Sequence, residues 1–76
     1  MLDPYELLDK VMEYSKNQFN KGRSNLKKTD LWNYVIEIDP KAKRENLNEV
    51  INELDARGWL LDNNETEIKF DPASFQ

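Results

Sequence analysis

The chain has no cysteine and no histidine among its 76 residues. The first absence excludes disulfides, thiolate metal sites and cysteine nucleophiles. The second removes the commonest general base and the commonest metal ligand. Glycine is scarce as well: Gly22 and Gly58 lie 36 positions apart, so no Gly-rich phosphate loop exists. No apolar run exceeds four residues, which excludes a membrane-spanning helix. Asp3 and Pro4 follow Met1-Leu2 without a basic or apolar leader, so no signal peptide is expected and the location read from the sequence is cytoplasmic. These absences predict a protein that is not an enzyme and uses no cofactor and no metal. The carboxylates Glu49, Glu53, Asp55, Asp62, Glu65, Glu67 and Asp71 have no base-like partner in the pattern. Asp62-Asn63-Asn64-Glu65 lacks the glycine and spacing of a calcium loop.

What remains is a small acidic chain, net charge −4, whose positive charge is unevenly placed. Residues 1–28 carry six basic and four acidic groups, whereas residues 47–76 carry two basic and seven acidic ones. Two short clusters hold most of the cations: Lys21, Arg23, Lys27 and Lys28, then Lys41, Lys43 and Arg44. Short basic runs of this kind are usually solvated loop charge, so the fold has to decide whether they meet.

Local signals predict three helices and a hairpin within a single domain, 1–71, followed by a loose tail, 72–76, whose Phe75 is free to dock. Asp3-Pro4-x-Glu6 reads as a helix start with Asp3 as N-cap, Pro4 at the first helical position and Glu6 reaching back. Tyr5, Leu8, Met12 and Phe19 mark its apolar face, widened by Leu7 and Val11, and Gly22 ends it after about Asn20. Residues 23–28 read as a linker or a very short strand around Leu26. A second helix, capped by Lys28 or Thr29, buries Leu31, Val35 and Ile38 and stops at Asp39-Pro40. The third runs from about Lys43 to Arg57 with Leu47, Val50, Ile51 and Leu54 buried, and Gly58 follows as its C′ residue. Residues 59–70 read as a hairpin turning at Asn63-Asn64 through the asparagine tolerance of positive φ, with Ile68 and Phe70 on one face. Trp59 and Trp32 are expected in the core; Tyr5, Tyr14 and Tyr34 are expected at its boundary. Tyr14 and Leu7 lie off the first helix's main face and, exposed together, would form a strip for a homodimer.

Helix, link, helix, turn, helix, glycine and hairpin in this order resemble the winged helix-turn-helix superfamily over residues 4–71. The stretch that carries the resemblance is Asn46-Leu47-Asn48-Glu49-Val50-Ile51-Asn52-Glu53-Leu54-Asp55-Ala56-Arg57-Gly58-Trp59-Leu60. It is similar to that family's third helix running through Arg-Gly-Trp-Leu into the wing. The fold class expected is therefore mainly α with a small β-hairpin, a three-helix winged helix-turn-helix. The resemblance implies that the third helix enters a DNA major groove while the start of the second meets the backbone. Lys27, Lys28 and Thr29 would then face one phosphate strand, with Lys41, Lys43 and Arg44 at the groove edge and Asn48 able to pair with adenine.

Double-stranded DNA is thus the expected partner, and a small transcriptional regulator or an accessory factor of replication, transfer or recombination the expected role. Two features pull the other way. Glu45 and Glu49 share the outward helix face with Asn48 and Asn52, and the wing, Asn63, Asn64, Glu65 and Glu67, brings no cation. The alternative reading is an acidic protein-interaction module whose wing and third-helix C-terminal half attract a basic partner. Both readings need Leu54 in the core. Leu54→Ala is expected to cost about 2–5 kcal/mol in urea unfolding; a loss below about 1 kcal/mol would remove the third-helix assignment.

Overall fold

Asp3 starts the first helix in the way its sequence implies. In the computed structural model, which describes residues 2–75, α1 spans Pro4–Asn20, and Asp3 Oδ1 accepts from the Glu6 N–H at 2.9 Å. That donation holds the Asp3 carboxyl below its ordinary range. The neighbouring Asp3 carboxyl, by side-chain hydrogen bonding and then charge repulsion, raises the Glu6 pKa, and the Asp3 backbone N–H partly offsets this. At the other end Gly22, at φ 85°, donates to Phe19 C=O while Arg23 donates to Gln18 C=O, a Schellman closure.

The chain then enters β1, Asn25–Lys27, and passes directly into α2, Lys28–Ile38. Neither Lys28 nor Thr29 caps this helix. Lys27 occupies the N-cap position with no side-chain hydrogen bond, because the strand delivers the backbone already extended into the first turn. Asp39 ends α2 and is itself buried; its carboxylate accepts from the N–H groups of Leu2 at 3.0 Å and Lys41 at 3.3 Å, so it ties the chain's start to the turn before α3. α3 spans Arg44–Ala56, with Asn46 Oδ1 accepting from the Lys43 N–H at 2.8 Å. Its exit repeats that of α1: Gly58, at φ 76°, donates to Asp55 C=O and Trp59 to Leu54 C=O.

β2, Leu60–Asn63, and β3, Glu67–Phe70, form the hairpin, and β1 pairs antiparallel with β3 on its far side. The sheet therefore has three strands in the order β1-β3-β2, one more than the hairpin alone. Leu26 lies opposite Ile68, and both are buried. An extra residue, Leu61, bulges from β2 between Leu60 and Asp62 and stays 59% exposed. The hairpin does not turn through positive φ, which among the described residues only the two glycines adopt. Instead Asn64 Oδ1 accepts from the N–H groups of Thr66 and Glu67, and the turn falls at 64–66.

One core joins the layers: Leu7, Leu8 and Val11 of α1, Leu26, Leu31 and Val35, the stripe Leu47, Val50, Ile51 and Leu54 of α3, and Ile68 and Phe70. The buried face of α1 differs from the one expected. Tyr5 is 75% exposed, while Leu7, Leu8, Val11 and Ser15 face inward, so the centre of the face turns toward Leu7 and Val11, and Met12 is left partly buried at its edge. Ser15 can be buried because its hydroxyl donates to Val11 C=O at 2.7 Å. Leu7 is thus core, and the strip proposed from Leu7 and Tyr14 does not form; Tyr14 stacks on Tyr34 at 4.6 Å.

Trp32 and Trp59 are only half-buried: each packs one side on the core and is covered by an arginine on the other, Arg44 and Arg57. The tail is not loose. Residues Pro72–Phe75 make a 3-10 turn, and Phe75 packs against Phe19 and Phe70. Residue 76 lies outside the described residues. No described helix is long and apolar enough to cross a membrane.

Burial, then the charge of Asp30, pushes the Tyr14 phenol above its ordinary value, partly offset by Arg23. Burial, then Glu13 and Glu37, does the same to Tyr34. A phenol with a raised folded-state pKa stabilises the fold fully below its unfolded value, about 10, and loses that contribution as pH rises through the raised one. Wild type should therefore lose more stability between about pH 9 and about pH 11 than Tyr14→Phe/Tyr34→Phe. Equal losses in urea unfolding would uncouple these phenols from folding.

Candidate functional site

The two basic clusters meet only in part, and the route by which they meet is topological. β1 ends at Lys27 and α2 begins at Lys28, so both lysines stand where strand, helix and wing converge. Lys28 N–H donates to Thr66 C=O at 2.8 Å, fastening this corner to the wing turn. α3 approaches from the other side, its first residue being Arg44. Between them lies an open groove of about 400 Å³ bordered by Lys27, Lys28, Thr29, Arg44, Asn48 and the wing residues Glu65 to Glu67, with Leu47 and Ile51 at its base.

Five of the seven residues singled out from the sequence, Lys27, Lys28, Thr29, Arg44 and Asn48, therefore line one groove. Lys41 and Lys43 do not. Lys41 is exposed in the α2–α3 turn, and Lys43 is the exposed N-cap residue of α3. Lys21 and Arg23 remain at the end of α1, where Arg23 bonds Gln18 at 3.0 Å. Among the groove cations Arg44 is the one that rests on an aromatic ring. Its guanidinium carbon sits 5.0 Å from the Trp32 ring centroid, a cation–π contact.

The wing contributes what the sequence placed elsewhere. Glu67 lies directly opposite Lys27 in the β1–β3 register, and Glu65 borders the same groove. Cross-strand partners carry side chains about 5 Å apart on one face of the sheet. Among the described residues the ion pairs are Lys10–Glu13 and Glu53–Arg57, neither of which engages Lys27, Lys28 or Arg44. The groove therefore holds three cations and two carboxylates side by side without close pairing. The expected acidic surface is divided. Glu65 and Glu67 belong to the groove, whereas Glu49 and Glu53 lie on the opposite face of α3, beside a second hollow lined by Pro4, Tyr5, Leu8, Val50 and Arg57.

Sequence reading missed Trp32 as a support for Arg44 and the shared position of Lys27 and Glu67. The first had a signal, since two positions at helix start and helix middle can stack only if α2 and α3 pack. The second needed the strand register. Comparison with protein-family models, curated proteins and solved structures finds no match.

The wing's place in the groove depends on Asn64. Its Oδ1 accepts from Thr66 N–H at 3.0 Å, Glu67 N–H at 2.8 Å and Thr66 Oγ1 at 3.2 Å. Asn64→Ala is expected to cost about 1 kcal/mol and to speed amide exchange at Thr66 and Glu67 relative to the α3 amides. Unchanged exchange there would show that strand pairing alone holds the turn.

Proposed function

We propose that the chain is a non-enzymatic DNA-binding module of the winged-helix type that uses this groove and the exposed face of α3 on a duplex. The observation that carries the reading is the placement of cations at two helix N-termini: Lys27 and Lys28 at α2, Lys43 and Arg44 at α3. A helix N-terminus carries partial positive charge, so a cation there opposes folding by about 0.3–1 kcal/mol. Lys21 and Arg57 at the C-caps of α1 and α3 lie where the dipole favours a cation, whereas the cations at the starts of α2 and α3 have no such local reason. An anion held between the two N-termini answers both the side chains and the free N–H groups. Phosphates of a duplex backbone supply anions for two such points, and Asn48, exposed on α3 one turn from Arg44, carries an amide of the kind that pairs with adenine.

In this reading Lys27, Lys28 and Thr29 hold one strand, Arg44 and Asn48 address the groove, and Lys41 and Lys43 add long-range attraction outside the close contact. The role is that of a small cytoplasmic regulator of transcription or an accessory factor in replication, transfer or recombination. With so few phosphate contacts a monomer binds weakly, and a second copy or adjoining sites would raise affinity by avidity.

Amide-shift titration of the labelled protein with a 16-base-pair duplex pool, at low and at physiological salt, tests this. Shifts should concentrate on residues 27–30, 44, 47, 48, 51, 52 and 64–67. Lys28→Ala/Arg44→Ala should weaken binding about ten- to a hundredfold at low salt, and Lys41→Ala/Lys43→Ala by less. Shifts confined to the Tyr5, Glu49 and Glu53 face, or none at low salt, would replace DNA with a protein partner.

A further inference from the structure

The side chains of Glu65 and Glu67 have no part in holding the wing together. The turn is fixed by the Asn64 side chain and the backbone of residues 66 and 67, and neither glutamate side chain makes a hydrogen bond or ion pair among the described residues. Both nevertheless border the groove whose cations are Lys27, Lys28 and Arg44, and Glu67 stands directly across the strand pair from Lys27. Opposite charges placed this way, near but not in close ion pairs, cancel in the field that an approaching polyanion meets without locking the cations in place.

We infer that Glu65 and Glu67 act as an electrostatic brake on the groove, setting its affinity for bare phosphate backbone. This rests on the nucleic-acid reading above. With three cations and two carboxylates, the groove presents a net charge of one to a duplex at distance, although three cations can still touch phosphate at close range. Long-range capture by arbitrary DNA is weakened, and residence depends on the close contacts of Arg44 and Asn48. The brake lies on the wing because β3 is the strand that pairs with β1; the same register that buries Leu26 against Ile68 puts Glu67 beside Lys27.

The test uses full-length wild type, Glu65→Gln/Glu67→Gln, and Glu49→Gln/Glu53→Gln as a control that removes the same charge from the opposite face of α3. Binding of a labelled random-sequence 16-base-pair duplex is followed by fluorescence anisotropy across a salt series. The wing pair should bind about tenfold tighter than wild type at low salt, with a steeper loss of affinity as salt rises. The control pair should gain about threefold or less, since its charges are farther from the groove. Adding Lys28→Ala to the wing pair should cancel the gain.

Equal gains in the two glutamine pairs would reduce the effect to net charge and overturn the brake. No gain in the wing pair, with wild type still binding, would overturn it and leave the nucleic-acid reading standing. No binding by wild type or by the wing pair at low salt would overturn both.

Discussion

Pairing of β1 with β3 sets the corner on which the candidate groove is built. An isolated two-stranded hairpin is marginal in water, and this one has only four residues in each strand. The three residues Asn25–Lys27 give β3 a second partner and bury Leu26 against Ile68. The same three residues determine where α2 starts, because the helix follows the strand with no intervening loop. The wing, the start of α2 and the groove between them are consequences of one short strand. The core stripe of α3 then fits the space that this corner and α1 leave, with Leu54 fully enclosed.

The helix ends are of two kinds, and they differ in how well they suit the helix. Asp3 at the start of α1 and the glycine closures of α1 and α3 are stabilising features, each satisfying backbone groups that a helix end leaves free. The starts of α2 and α3 have cations; α2 has no side-chain cap hydrogen bond, in α3 Asn46 Oδ1 accepts one from the Lys43 N–H, and Asp30 and Glu45 partly compensate in the first turns. Local energetics favour the first arrangement and not the second. Positions that depart from local preference in an otherwise consistent chain are where function is expected to reside. The departure here is confined to the two helix ends nearest one another around Arg44 and Trp32.

The parts of the structure legible in the sequence are those governed by local chemistry. Asp3-Pro4, Gly22 and Gly58 set helix limits to within a residue or two, because capping is decided within a few positions. The stripes of α3 and of β3 were legible because Leu47, Val50, Ile51 and Leu54 fit one helical phase and Ile68 and Phe70 one strand phase. The phase of α1 was ambiguous: Tyr5, Leu8, Met12 and Phe19 compete with Leu7 and Val11, and the residue completing the true face is a serine. The tryptophans, Phe75 and the wing turn depended on contacts between distant segments, or on a side chain imitating backbone. In the site, the gathering of Lys28, Arg44 and Asn48 followed from element order. The neighbourhood of Lys27 and Glu67 required a register between strands forty residues apart, which no local pattern carries.

The bulge at Leu61 bears on how copies of this chain meet one another. β2 is an outer strand of the sheet, and an outer strand offers unpaired N–H and C=O groups to any neighbouring backbone. By inserting one residue between Leu60 and Asp62, the bulge bends the strand and breaks the regular spacing of those groups. A second β2 laid alongside finds no continuous ladder, and at the opposite edge β1 is three residues long. The exposed leucine is thus the visible side of a device that discourages fibrillar stacking. Both edges of the three-stranded sheet therefore disfavour edge-to-edge pairing, one by irregularity and the other by shortness.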